Sequence, residues 1–248
     1  MEWDASLYDK KHDFVAEYGK GLLEYIPHDQ EQAILDLGCG TGTLTARLVG
    51  LGGRVMGVDS SPQMIDRAKE QFSGIEFQVC DALALPFEQE WDVVFSNAVF
   101  HWIGDHRALL QNIRRALKPH GTLVCEFGAN GNIAAIETAF AAASEELGYG
   151  YRPKFNFPTA ERFGELLTEN GFLIDKLYEY DRPTVLKDGE AGLANWMRQF
   201  YAAELAAMPE DARTLILKSA EERARNALWN GNEWVADYRR LRAVAHLA

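Results

Sequence analysis

At 248 residues the chain has room for one large α/β domain or two small ones, and its 47% hydrophobic content supplies a real core, which argues against a disordered chain. A formal net charge of −12 counts against nucleic acid as a partner, because phosphate binding rests on Lys and Arg. Cys39, Cys80 and Cys125 show neither metal-ligand spacing nor an even-numbered disulfide framework. They read as buried structural thiols in a reducing compartment, with no metal expected. Met1-Glu2-Trp3-Asp4 lacks the basic and apolar regions of a signal peptide, and no apolar run is long enough for a bilayer, so a cytoplasmic chain without membrane attachment is expected.

The elements follow in order. Residues 6–26 carry apolar positions at helical spacing and stop at Pro27. Trp3, Tyr8 and Phe14 are candidates for a lid over a pocket. Ile34 to Leu37 reads as a buried strand that runs into glycines at 38, 40 and 42, and Thr43 to Val49 as a helix capped by Thr41 or Thr43. Arg54 to Asp59 is a second strand, followed by a helix entered through Ser60-Ser61-Pro62. Strands are expected at 75–80 and 91–96, a helix from about 105 to 117, and a strand at 121–127. Alternation of this kind implies an α/β fold with a parallel sheet covered on both faces. Beyond it come an alanine-rich helix at 132–147, an aromatic loop at 148–158 and a helix at 159–170. A sixth strand at 172–180, a mostly helical stretch at 189–229 broken near Met208-Pro209, and a last strand within 234–247 complete the chain.

Three acids sit at successive strand ends: Asp36, Asp59 and Asp81. In an open α/β sheet, ligands bind beyond the carboxyl ends of the strands, which gathers these acids beside the glycine loop. An acid after the second strand is suited to both hydroxyls of a ribose. The spacing Gly38, Gly40, Gly42 is not the G-x-G-x-x-G of a dinucleotide fold, and an acid so close to the first glycine suits a cationic amino group better than a pyrophosphate. A nucleoside carrying an ammonium and a small carboxylate meets these demands, and S-adenosylmethionine is such a molecule.

Four blocks carry a resemblance: Leu35-Asp36-Leu37-Gly38-Cys39-Gly40-Thr41-Gly42, Gly57-Val58-Asp59-Ser60-Ser61, Cys80-Asp81-Ala82-Leu83-Ala84-Leu85-Pro86-Phe87, and Leu117-Lys118-Pro119-His120-Gly121-Thr122-Leu123. In this order and spacing, over about residues 30 to 127, the chain resembles the class I S-adenosylmethionine-dependent methyltransferases of type 11. The resemblance implies a Rossmann-like, doubly wound, mostly parallel seven-stranded sheet with an antiparallel last strand and a helical insertion or lid. It implies one domain over 1–248: a helical lid at 1–30, a cofactor half at 31–127, and a substrate half at 128–248 with the insertion at about 189–230. It implies that Asp36 and the loop of Gly38, Cys39, Gly40 and Gly42 hold the methionine part, and that Asp59 grips the ribose. Asp81 and Ala82 would meet the adenine, with Ser60 and Met64 nearby. Ser96, Asn97 and Ala98 would floor the space between cofactor and acceptor. The run Asn97-Ala98-Val99-Phe100-His101-Trp102 with Asp105-His106 is similar to the subgroup of trans-aconitate methyltransferases, many of which have Gln where this chain has His101.

Methyl transfer from a sulfonium is an in-line displacement that asks the protein for alignment and a water-poor site. A base is needed only for an acceptor protonated at working pH. His101 is the candidate base, with loop fixation as its competing role; surface positions account for His12 and His106. Aromatic residues at 149, 151, 155 and 157, with Trp196, Phe200 and Tyr201, are candidates for the acceptor wall. Tyr8, Trp102, Tyr151 and Trp196 are the named substrate candidates, and Arg152, Arg182 and Arg198 suit an acidic acceptor. The expected partner is a small molecule, a carboxylate being one option, for a monomer or homodimer that returns S-adenosylhomocysteine. A cofactor-binding regulator without turnover and a nicotinamide-dependent oxidoreductase are the alternatives.

Overall fold

The computed structural model describes Gly19 and residues 21–248. In chain order the elements are β1 (Asp29–Leu37), α1 (Thr43–Leu48), β2 (Gly52–Asp59), α2 (Pro62–Gln71), β3 (Glu76–Val79), β4 (Trp91–Asn97), α3 (His106–Ala116) and β5 (Leu117–Gly128). There follow α4 (Ala134–Glu146), α5 (Ala160–Glu169), β6 (Phe172–Asp181), β7 (Thr184–Val185), α6 (Gly192–Phe200), α7 (Ala202–Ala206), α8 (Glu210–Leu228), β8 (Val235–Ala236) and β9 (Arg239–Leu247). The main sheet has the order β3-β2-β1-β4-β5-β9-β6 and is mostly parallel with one antiparallel strand, the expected architecture. The order reverses direction between β1 and β4, which pair in register through Leu35 and Val94. That reversal is the switch point at which open α/β sheets place their ligands.

The chain packs as two compact units. The first comprises the described residues up to 129, with 155–179 and 241–248. Its central strands are apolar on both faces because helices cover both, and Ile34, Leu35, Val94 and Phe95 are completely buried. Helix α3 inserts Leu109, Leu110 and Ile113, each fully buried, and each contributes about 1.5–3 kcal/mol. Its N-terminus is capped by Asp105, whose side chain accepts the Ala108 N–H at 2.9 Å. Where β5 meets β9, Glu126 is 1% exposed and is held by Arg242, with Nε at 2.7 Å from Oε2. Arg242 also donates to the Gly21 carbonyl and lies over the Tyr25 ring.

The second unit comprises 130–154 and 180–240. Its helices α4 and α8 pack against each other, and β7 pairs antiparallel with β8 through Thr184 and Ala236. Asp237 caps α4 by accepting the Ala135 N–H at 2.8 Å, although the preceding Ile133 stands at φ 55°. Aromatic rings fill its interior: Phe140 stacks on Tyr201 at 4.2 Å, and Trp196 donates its indole N–H to the Tyr238 hydroxyl at 2.6 Å.

Three local expectations are corrected. Neither Thr41 nor Thr43 caps α1; the cap position is Gly42 at φ 85°, with no side-chain cap. A glycine takes the left-handed turn that a β-branched residue resists. Strand β5 begins at Leu117 rather than 121, because the Lys118-Pro119-His120 stretch is carried as an irregularity in its register with β4. His106 is buried, not on the surface: it is 4% exposed and its Nε2 meets the Phe100 carbonyl at 2.8 Å. Among the described residues no helix is long and apolar enough to cross a membrane.

Candidate active site

At the carboxyl ends of β1, β2 and β4 the first unit holds a cavity of about 420 Å³. Its wall includes Gly38 and Gly40, Asp59 with Ser60 and Met64, Asp81 with Ala82, and Asn97 with Trp102. Four separate stretches of sequence therefore meet in one space. Asp36, Cys39 and Gly42 do not line it; they lie behind it. Asp36 is 2% exposed, Cys39 is buried, and a Cβ on Gly42 would stand 2.7 Å from the Phe77 ring.

The loop is built from close approaches. The N–H groups of Gly38 and Cys39 both donate to the Val58 carbonyl, at 2.7 and 3.0 Å, and Gly42 N–H donates to the Cys39 carbonyl at 3.0 Å. Gly40 N–H donates to Asp59 Oδ2 at 3.0 Å. Those four amides already have acceptors within the protein, which leaves a poor cradle for a pyrophosphate. Gly40, at φ 54°, has no atom within 4 Å of where a Cβ would stand, so the backbone itself faces the cavity.

Asp59 is clamped from two sides. Ser61 N–H donates to Oδ1 at 2.9 Å while Gly40 N–H holds Oδ2. Each oxygen retains acceptor capacity toward the cavity, enough for two adjacent hydroxyls. Burial pushes its carboxyl above the usual range, opposed by the hydrogen bonds from Ser61, Gly40 and Ser60. Asp81 is exposed and turns the chain, accepting the Leu83 N–H at 2.9 Å through Oδ1. Behind the loop, Asp36 Oδ2 accepts the Thr45 hydroxyl at 2.6 Å. Burial pushes the Asp36 carboxyl up to about 7, with the Thr45 bond opposing and the Asp59 charge reinforcing the shift. On the far wall Ala98 stands at φ 61° with its N–H on the Glu126 carbonyl, a strained backbone of the kind found at binding sites.

These features meet the demands of a cationic nucleoside: hydroxyl acceptors, buried acids, an open glycine and no phosphate cradle. The comparisons agree. The model of the family described as "Methyltransferase domain" matches residues 35–125. An uncharacterized methyltransferase of Schizosaccharomyces pombe is 33% identical over 98% of this chain and 97% of its own. The chain belongs to the class I S-adenosylmethionine-dependent methyltransferases. A trans-aconitate 2-methyltransferase of Deinococcus radiodurans is 32% identical over 80% of both chains. The YcgJ protein of Bacillus subtilis shares the fold, with a TM-score of 0.68 at 16% identity over 93% of this methyltransferase and 98% of that chain.

The remaining expected residues fall as follows. Trp102 lines the cavity and packs edge-on against Phe155 at 4.8 Å. His101 is buried one residue behind it, among Trp102, Phe155 and Phe157. Gly128 N–H donates to His101 Nδ1 at 3.3 Å, so the neutral ring carries its proton on Nε2. In that tautomer Nε2 has no lone pair for a substrate proton, which counts against a base. Tyr151 and Trp196 belong to the second unit, where the Tyr151 hydroxyl donates to Glu137 Oε1 at 2.7 Å and Trp196 is 4% exposed. Arg198 is engaged there with Asn195, and Arg182 with Tyr180. Tyr8, Trp3, Phe14 and His12 lie outside the described residues. Sequence reasoning passed over Thr45, and over Cys80, Ile103 and Gly104 as cavity wall. The one available signal for Thr45 was a hydroxyl set between Leu44 and Leu48 on a short buried helix.

Proposed function

We propose that the chain moves a methyl group from S-adenosylmethionine to a small carboxylic acid. The observation that carries the reading is the cavity that has clamped Asp59 on its β2 side and Trp102 on its β4 side. Asp59 would hold the ribose hydroxyls, Asp81 and Ala82 the adenine edge, and Gly38 and Gly40 the methionine end. Bound there, the cofactor supplies an activated methyl on a positively charged sulfur. This chain's own part is to orient and to keep water away. Trp102, backed by Phe155, would give an apolar wall that strips water from an acceptor. A carboxylate acceptor is ionised at neutral pH and asks for no base, in keeping with a His101 ring whose Nδ1 is engaged by Gly128. The similarity to a trans-aconitate 2-methyltransferase supports the same acceptor class.

The test has two stages. Calorimetric titration with S-adenosylmethionine, S-adenosylhomocysteine and NAD identifies the ligand, and tight NAD binding would sink the reading. A radiolabelled methyl donor is then offered di- and tricarboxylates beside phenols and amines. Label confined to the phenols or amines would overturn the acceptor class while leaving the donor site intact.

A further inference from the structure

Helix α1 carries a hydroxyl in its buried face. Thr45 is fully buried, between Leu44 and Leu48 on the same helix. A helical threonine commonly returns its hydroxyl to the carbonyl four residues back. Here it reaches across to the β1 strand end and meets Asp36 Oδ2 at 2.6 Å, the length of a charge-assisted bond. Asp36 sits in register with Gly57 on β2 and Phe95 on β4, neither of which titrates. The titratable groups that face it are Asp59 from the end of β2 and Cys39 from the loop. Among the described residues no cation acts on it. An acid so placed, with a second acid close by, keeps its charge only through the threonine or through a positive ligand.

We propose that Thr45 is a positioning residue, its hydroxyl easing ionisation of Asp36 and orienting the carboxylate behind the glycine loop, so that binding of a cationic nucleoside is linked to loss of the Asp36 proton. This rests on the reading of the cavity as the S-adenosylmethionine site. The balance is simple: the Asp36 O–H bond breaks, the proton leaves to solvent, and the electron pair stays on the carboxylate behind the loop, where it offsets the ligand's positive charge. The two acids otherwise repel, and the ligand replaces the proton as their counter-charge. Thr45→Val removes the bond and raises the Asp36 carboxyl further.

The experiment is calorimetric titration of wild type, Thr45→Val and Thr45→Ser with S-adenosylmethionine and with adenosine, over pH 6 to pH 9. If the lost bond moves Asp36 by about one pKa unit, the wild-type advantage over Thr45→Val is about tenfold near pH 6, about fivefold near pH 7 and absent near pH 9. Thr45→Ser restores the wild-type curve, and adenosine, which lacks the charged end, binds all three alike. Asp36→Asn, measured in case Thr45→Val does not fold, gives no ligand-linked proton release when buffers of different ionisation enthalpy are compared, whereas wild type does. A pH-independent ratio between wild type and Thr45→Val, or an equal loss for adenosine, would overturn the proposal and leave Thr45 a packing residue. Undiminished proton release in Asp36→Asn would overturn it too. Failure of wild type to bind either ligand overturns the donor reading first, and this inference with it.

Discussion

Asp59 shows how a single side chain is fixed in advance for the binding role proposed for it. Its two oxygens are fixed by Gly40 and Ser61 amides, so no side-chain entropy remains to be lost when hydroxyls arrive. Asp59→Ala is expected to weaken S-adenosylmethionine binding by about thirtyfold or more, as loss of hydrogen bonds to a charged acceptor costs about 1.5–3 kcal/mol each. Calorimetry reads this directly, and unaltered affinity would remove Asp59 from the site. His101 is the opposite case. With Nδ1 occupied by Gly128 N–H, the rate should carry no ascending limb from imidazole titration, and His101→Gln should retain most of the turnover. A rate that tracks an imidazole pKa and vanishes in the Gln variant would reinstate the base. Asp59 was legible in sequence because a strand-end acid acts through local backbone. The tautomer of His101 was not, because it depends on an amide 27 positions away in β5.

The glycine loop separates stability from binding within one element. At Gly38 a Cβ would stand 2.2 Å from the Val99 side chain with φ at 77°, whereas at Gly40 it would meet open space. Gly38→Ala is therefore expected to destabilise by about 2–4 kcal/mol, a left-handed backbone cost of about 1–2 kcal/mol plus overpacking. For a chain of this size, that lowers the melting temperature by about 4–16 °C. Gly40→Ala carries only the backbone cost, and its methyl enters the cavity, so it should lose more in donor affinity than in melting temperature. Paired melts and titrations of the two variants check this, and a parallel loss in both would refute the separation. The alternation of glycines made the loop readable. The cap of α1 was misread because threonine is a good capping residue wherever its hydroxyl is free to turn back. The Gly42 backbone takes that place instead, while the hydroxyl of Thr45, one turn further on, is engaged by Asp36.

Across the whole molecule, long-range charge decides what short-range pattern does not. Arginines at 152, 182 and 198 read as suited to an acidic acceptor, yet among the described residues the deepest ion pair is between Arg242 and Glu126, whose side chains are 11% and 1% exposed. Arg242→Met removes the arginine paired with a buried carboxylate and should cost about 3–5 kcal/mol in denaturant unfolding. A cost near zero would show that the pair contributes nothing net to the fold. The side-chain pair of 126 and 242 joins residues 116 positions apart, almost half the chain, and no local periodicity announces it. Asp36 adds a pH signature. Because its folded value stands at about 7, above that of an exposed aspartate, it contributes stability that is complete in acid and is lost as pH rises toward 7. Melting temperatures compared with Asp36→Asn should therefore fall relative to the variant between about pH 4 and pH 7. The three thiols are sorted by depth as well. Burial pushes all three thiols up, but Cys39 and Cys125 are buried whereas Cys80 is half-buried on the cavity wall. A short pulse of alkylating reagent should then mark Cys80 alone, and the single adduct, slowed by an occupied cavity, becomes a footprint that reports ligands by intact mass before any acceptor is known.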